Sequence, residues 1–158
     1  MMEQINYDHI AIEEKPFADR LAQFIKHVIR PHMVLDIGCG PGHFVYSMVD
    51  VGINAIGIDI DERVASKQYL FQQDIFSTKF VADVAICLEV AEHIDAVYAD
   101  DLIDTISTMF TDTLIFTAAV PGQGGVGHIN CQPIEYWEEK FNRNGLYRNT
   151  VMEKVIKD

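Results

Sequence analysis

The run Asp36-Ile37-Gly38-Cys39-Gly40-Pro41-Gly42 sets three glycines two residues apart, directly after the apolar stretch MVLDI and ahead of a helical pattern. Glycines at such a turn let a ligand approach the backbone, and ligands of open α/β sheets bind outside the carboxyl ends of the strands. A nicotinamide dinucleotide fits poorly. Its G-x-G-x-x-G pattern needs a third glycine at position 43, where this chain has His43, and Pro41 removes an N–H that a pyrophosphate would use. Asp59 follows Gly40 by 19 residues and ends the next apolar run. From there a carboxylate can accept from both hydroxyls of a ribose. Asp74, after a third run, is placed to accept from an exocyclic amine, with Ile60 and Ile75 as apolar contacts to the base. Glu89 ends a fourth run, near the glycine turn. Four acids at successive strand ends suit a cationic nucleoside without phosphate.

The elements that must hold these residues can be read from periodicity. Residues 16–30, opened by Pro16, place Phe17, Leu21, Phe24, Ile25, Val28 and Ile29 at helical spacing. MVLDI (33–37), NAIGIDI (54–60), YLFQQDI (69–75), VADVAICLEV (81–90) and DTLIFTAAV (112–120) read as five buried strands. Helical stretches separate them: one through Phe44 to Val49 that closes at Gly52, a polar one over DERVASKQY, and one with Tyr98, Leu102, Ile106 and Met109 on its stripe. This alternation predicts an α/β fold: three layers, doubly wound, around a mostly parallel sheet. A loop with four glycines, PGQGGVGHINCQ (121–132), then leads to a helix over PIEYWEEKFNRNG. The last residues are expected to hold a short strand around Leu146–Tyr147 and a fragment of helix. Met48, Met109, Tyr136 and Trp137 read as core, and Glu92 and His93 as caps or buttresses of the helix that follows them.

Composition bounds the partners. With 158 residues, 49% of them apolar, the chain is expected to fold as one domain, residues 1–158, with a core over about 31–145. Its net charge of −12 repels a phosphate backbone, so nucleic acid is not an expected partner. Cys39, Cys87 and Cys131 are far apart in sequence and form no CxxC pair; no metal site is expected, and a reducing cytoplasm is the simplest setting. No apolar run suggests a secretion signal or a membrane span. Nothing in the composition sets the oligomeric state.

The segments VLDIGCGPG, GIDI, QQDIF and ADVAICLEVAEHI, in this order and spacing, resemble class I S-adenosylmethionine-dependent methyltransferases over residues ~31–145, and the stretch HINCQPIEYWEEKF resembles a small-molecule branch of them. The resemblance implies a Rossmann-like fold and S-adenosyl-L-methionine as cofactor. It places Asp36, Gly38, Cys39, Gly40 and Gly42 around the methionine part, and Asp59 at the ribose, with Ile60 against the base. Asp74 and Ile75 would then lie at the adenine edge, and Leu88 and Glu89 near the sulfonium and amino-acid end. Relatives of this type continue into a further antiparallel strand, so the chain is expected to be either a fragment or a C-terminally shortened member.

A sulfonium donor is already activated, so the protein mainly orients the acceptor and excludes water. A hydroxyl, phenol or amine acceptor also needs a base, and His128 is the candidate in the glycine-rich loop, itself a plausible lid. Between Lys79 and Lys140 there is no Lys or Arg, while the same 60 residues carry 11 acids. That balance predicts a neutral or cationic small-molecule acceptor, methylated at oxygen or nitrogen. An aminopropyl transferase and a non-catalytic cofactor-binding subunit stay open as other readings.

Overall fold

The structure is a computed structural model that describes the backbone of residues 7–157 and the side chains of residues 15–156. Its strands are β1 (Val34–Ile37), β2 (Ala55–Asp59), β3 (Leu70–Gln72), β4 (Ala82–Leu88) and β5 (Phe110–Thr117). They form one sheet in the order β3-β2-β1-β4-β5, parallel at every pairing. Asp36 of β1 sits opposite Gly57 on one side and Ile86 on the other, so the carboxyl ends of β1, β2 and β4 are level.

Side chains alternate between two covered faces. Val34, Val84 and Ile86 pack with Leu21, Ala22 and Ile25 of the N-terminal helical segment and with Val45 and Met48 of the next helix. Leu35, Ile37, Ala85 and Cys87 pack on the opposite face with Leu102, Ile103, Ile106, Met109 and Trp137. Burial on both faces explains why β1, β2 and β4 read as unbroken apolar runs, whereas the edge strands β3 and β5, expected to be buried, are only partly covered.

The helices are α1 (Tyr7–Phe24), α2 (His43–Asp50), α3 (Ala99–Ile106), α4 (Ile134–Arg143) and α5 (Thr150–Lys157). The expected start at Pro16 is corrected: α1 begins at Tyr7 and Pro16 lies inside it. A mid-helix proline costs about 3 kcal/mol, which the buried face formed by Ala18, Leu21, Ala22 and Ile25 offsets. The helix runs on into a wider π-helical turn, Ile25–Ile29, and stops where left-handed Arg30 (φ 59°) donates its N–H back to the Ile25 carbonyl.

Two further expectations are corrected. The polar stretch DERVASKQY is not a helix but a 3-10 turn, Glu62–Val64, capped by Asp61. Val64 is its only buried residue, so no apolar stripe is present to hold a longer helix on the sheet. Leu146–Tyr147 forms no strand, since Tyr147 is 78% exposed and the chain passes directly into α5. Among the described residues, no helix is long and apolar enough to cross a membrane.

Candidate active site

The turn between β1 and α2 keeps its own amides occupied. Gly38 and Cys39 donate to the Ile58 carbonyl at 2.9 and 3.0 Å, Gly42 donates to the Cys39 carbonyl, and Gly40 donates to Asp59 Oδ2 at 2.7 Å. Pro41 has no N–H. From Gly38 to Gly42, then, no backbone donor remains for a phosphate. The turn also lies unusually close to β2: a Cβ on Gly57 would stand 2.6 Å from Cys39 Sγ, so only glycine admits the contact.

Asp59 binds the turn with one carboxylate oxygen and its own neighbour, the Asp61 N–H, with the other at 2.9 Å. Each oxygen keeps a second lone pair, and Asp59 lines an open cavity of about 1440 Å³ at the carboxyl ends of the strands. Asp36, Gly38, Cys39, Gly40, Ile60, Asp74, Ile75, Leu88 and Glu89 line the same cavity; Gly42 of the candidate set does not. Asp74 also starts a turn, accepting from the Phe76 N–H at 3.0 Å, so its turn role and its place in the cavity coexist. Burial, with the carboxylates of Asp36 and Asp59, pushes the Cys39 thiol well above its ordinary range.

The charge of this cavity is one-sided. Asp36, Asp59, Asp74 and Glu89 line it together with three histidines and no Lys or Arg, while Lys67 donates to the carbonyl of the lining residue Pro41 at 3.4 Å. Three arginines are engaged elsewhere: Arg143 with Glu139, Arg148 with Glu153, and Arg30 with the His27 carbonyl. Asp100 and Asp104 lie outside it, bonded to Lys140 of α4 and to Asn144 just after it. A set of carboxylate acceptors, with the turn amides already used, fits the ribose hydroxyls and cationic groups of S-adenosylmethionine and does not fit a dinucleotide.

The loop after β5 closes the far side. Ile129 and Asn130 donate their N–H groups to the Glu92 carbonyl at 2.9 and 3.0 Å, which tethers the loop to the turn after β4. This brings His128 onto the cavity wall beside His93, with ring centroids 4.9 Å apart and edge to face. His93 Nδ1 lies 3.1 Å from the Gly127 carbonyl. Glu92 is wholly buried, and its Oε1 is 3.8 Å from His128 Nε2. Burial, reinforced by the carboxylate of Glu89, raises the Glu92 carboxyl above its ordinary range, while burial and the neighbouring His128 lower His93.

Sequence reasoning placed Glu92 and His93 as helix supports and did not join them to His128; their separation hid the cluster. It also assigned Phe17 only to a packing stripe, whereas Phe17 lines the cavity and meets Phe44 edge to face at 5.8 Å. His43, where the dinucleotide pattern would put glycine, is a further lining residue, and burial lowers its imidazole. Trp137 is core, packed against Phe116 and Tyr136.

A family model described as "Methyltransferase domain" matches residues 7–149. Among solved structures, the chain is similar to the magnesium protoporphyrin IX methyltransferase of Synechocystis PCC 6803 with bound SAH. The TM-score is 0.70 at 18% identity, covering 92% of this chain and 80% of that one. It is likewise similar to a SAM dependent methyltransferase from Archaeoglobus fulgidus, with a TM-score of 0.64 at 19% identity and coverage of 92% and 87%. An O-methyltransferase family protein from Burkholderia thailandensis aligns with a TM-score of 0.67 at 14% identity, over 88% of this chain and 54% of that one. At these identities the likeness is one of fold. No curated protein sequence matches the chain. The chain belongs to the methyltransferase domain family, on a Rossmann-like sheet shared with S-adenosylmethionine-dependent methyltransferases.

Proposed function

We propose that this protein transfers a methyl group from S-adenosylmethionine to an oxygen or nitrogen of a neutral or cationic small molecule. The observation that carries the reading is a cavity lined by four carboxylates and no Lys or Arg, beside a glycine turn whose amides are all used within the protein. When bound, the cofactor supplies a methyl group already activated by positive charge on sulfur. Asp59 would hold the ribose, Asp74 and Ile75 the base edge, and Asp36, Gly38, Cys39 and Gly40 the methionine end, with Leu88 and Glu89 beside it. These assignments place the reacting end toward β4 and the loop after β5.

At that end the residues of this chain exclude water and handle a proton. Val126 and His128 of the loop line the same cavity, where ordering of the loop would shut out solvent. An acceptor hydroxyl or amine must lose its proton as it attacks, and His128, which lines the cavity, would receive it. Glu92, 3.8 Å from Nε2, stabilises the imidazolium that results.

A single-turnover assay with methyl-labelled cofactor and a panel of neutral, cationic and anionic acceptors tests this reading. Label in neutral or cationic products supports it. Label only in anionic products removes the electrostatic argument, aminopropyl products replace the reaction, and tight cofactor binding without any product points to a non-catalytic subunit.

A further inference from the structure

We propose that Glu92, His93 and His128 form a binding site for one divalent first-row transition ion, such as Mn²⁺, Co²⁺ or Zn²⁺, in the acceptor wall of the cavity. Each of the three offers a ligand atom, and these atoms all lie within 4.8 Å of one another. Bound to a common ion at about 2.0–2.2 Å, such atoms stand roughly 3.0–3.5 Å apart. The Glu92 to His128 separation of 3.8 Å is already close to that. Small side-chain movements would complete the set.

Three independent features favour a cation over a merely packed cluster. Glu92 is wholly buried, and its carboxylate oxygens, close to Glu89 and to the Ala119 N–H, make no hydrogen bond of full geometry, a costly state for a carboxyl group that a cation would complete. His93 has its Nδ1 beside the Gly127 carbonyl at 3.1 Å, so Nδ1 carries the proton and Nε2 is left with its lone pair. An imidazole ligand is typically oriented in this way, by donating its other N–H to a carbonyl. Finally, a Cβ on Gly125 would stand 2.3 Å from His128 Nε2, so glycine at 125 keeps that nitrogen uncovered. Glu89 lines the same wall, and no Lys or Arg lines the cavity to neutralise it.

Two imidazoles and one carboxylate suit transition ions better than Ca²⁺ or Mg²⁺, which prefer oxygen alone. Three protein ligands leave positions open for a substrate atom. The binding itself stands apart from the methyl-transfer reading, but its use rests on that reading. An acceptor hydroxyl bound to the ion would release its proton to water and keep the electron pair on oxygen, with the imidazole of His128 serving as ligand rather than base.

The test is metal binding by the whole chain. Protein stripped with a chelator is titrated with Mn²⁺, followed by the electron paramagnetic resonance of the free ion, and with Co²⁺, followed by visible absorption. One ion per chain is expected, with affinity at least tenfold lower in Glu92→Gln, His93→Ala and His128→Ala. Should Glu92→Gln not fold, the two histidine variants, at half-buried positions on the cavity wall, carry the comparison. No saturable binding by the unaltered protein, or equal binding by the folded variants, overturns the site. S-adenosylmethionine is titrated in parallel: an ion bound at these residues without cofactor binding supports the metal site and sinks the methyl-transfer reading instead.

Discussion

The backbone N–H of Gly40 donates to Asp59 Oδ2 at 2.7 Å, joining the turn after β1 to the end of β2 across 19 residues. The carboxylate that would hold the ribose thus also holds the turn in place before any ligand arrives. Asp59→Ala removes both roles and is expected to weaken S-adenosylmethionine binding by about 1.5–3 kcal/mol, with Asp59→Asn intermediate. Calorimetry that returns unaltered affinity in a folded Asp59→Ala protein would remove Asp59 from the site.

Thermal shift separates ligand classes. With its turn amides occupied and its cavity acidic, the protein should be stabilised by S-adenosylmethionine or its demethylated product and not by NAD. At a ligand concentration ~100 times Kd the stabilisation is about 2.7 kcal/mol, a rise of roughly 5–10 °C in Tm for a chain of this size. A larger rise with NAD than with either thioether ligand contradicts the assignment.

His128→Ala is expected to lower turnover on a hydroxyl or amine acceptor about 10²-fold while cofactor affinity stays nearly constant, since the group acts at the acceptor end. Steady-state rates and cofactor titrations on the same preparation check both halves. Undiminished turnover excludes His128 from the chemistry.

Asp83 predicts an acid-dependent loss of stability. Burial alone would raise its carboxyl, but the N–H groups of His32 and Met33, both at 2.6 Å, outweigh it and the carboxyl sits below its ordinary 3.8. A lowered native value means that the contribution is complete at neutral pH and is lost as pH falls below about 4 toward the native value. Asp83→Asn should therefore cost about 1–2 kcal/mol at pH 7 and much less near pH 3. Urea unfolding at the two pH values measures this, and an equal cost at both would show that the charge is irrelevant.

The three thiols should separate by reactivity. Cys39 and Cys87 are buried, and burial with nearby carboxylates raises both thiols, whereas Cys131 is partly exposed. Brief treatment of native protein with a maleimide is expected to give one adduct, at Cys131, by mass spectrometry. Rapid labelling of Cys39 would mean that the turn opens in solution.

Sequence alone determined what depends on neighbours in the chain. Unbroken apolar runs marked β1, β2 and β4 because burial on both faces is written into each residue of such a strand. The glycines at 38, 40 and 42 and the acid at 59 marked the ligand end because a close turn and a strand-end carboxylate need those residue types. Tertiary structure decided the rest. Pro16 was absorbed into α1 by packing on the sheet, and residues 61–69 lost their helix for want of an apolar stripe. Glu92, His93 and His128 became one cluster only because the loop after β5 returns its Ile129 and Asn130 amides to the Glu92 carbonyl. Periodicity reports which face a residue turns toward its own element's neighbours. Convergence of side chains from the ends of β4 and β5 depends on sheet order and register, which are set by long-range pairing and leave no local mark.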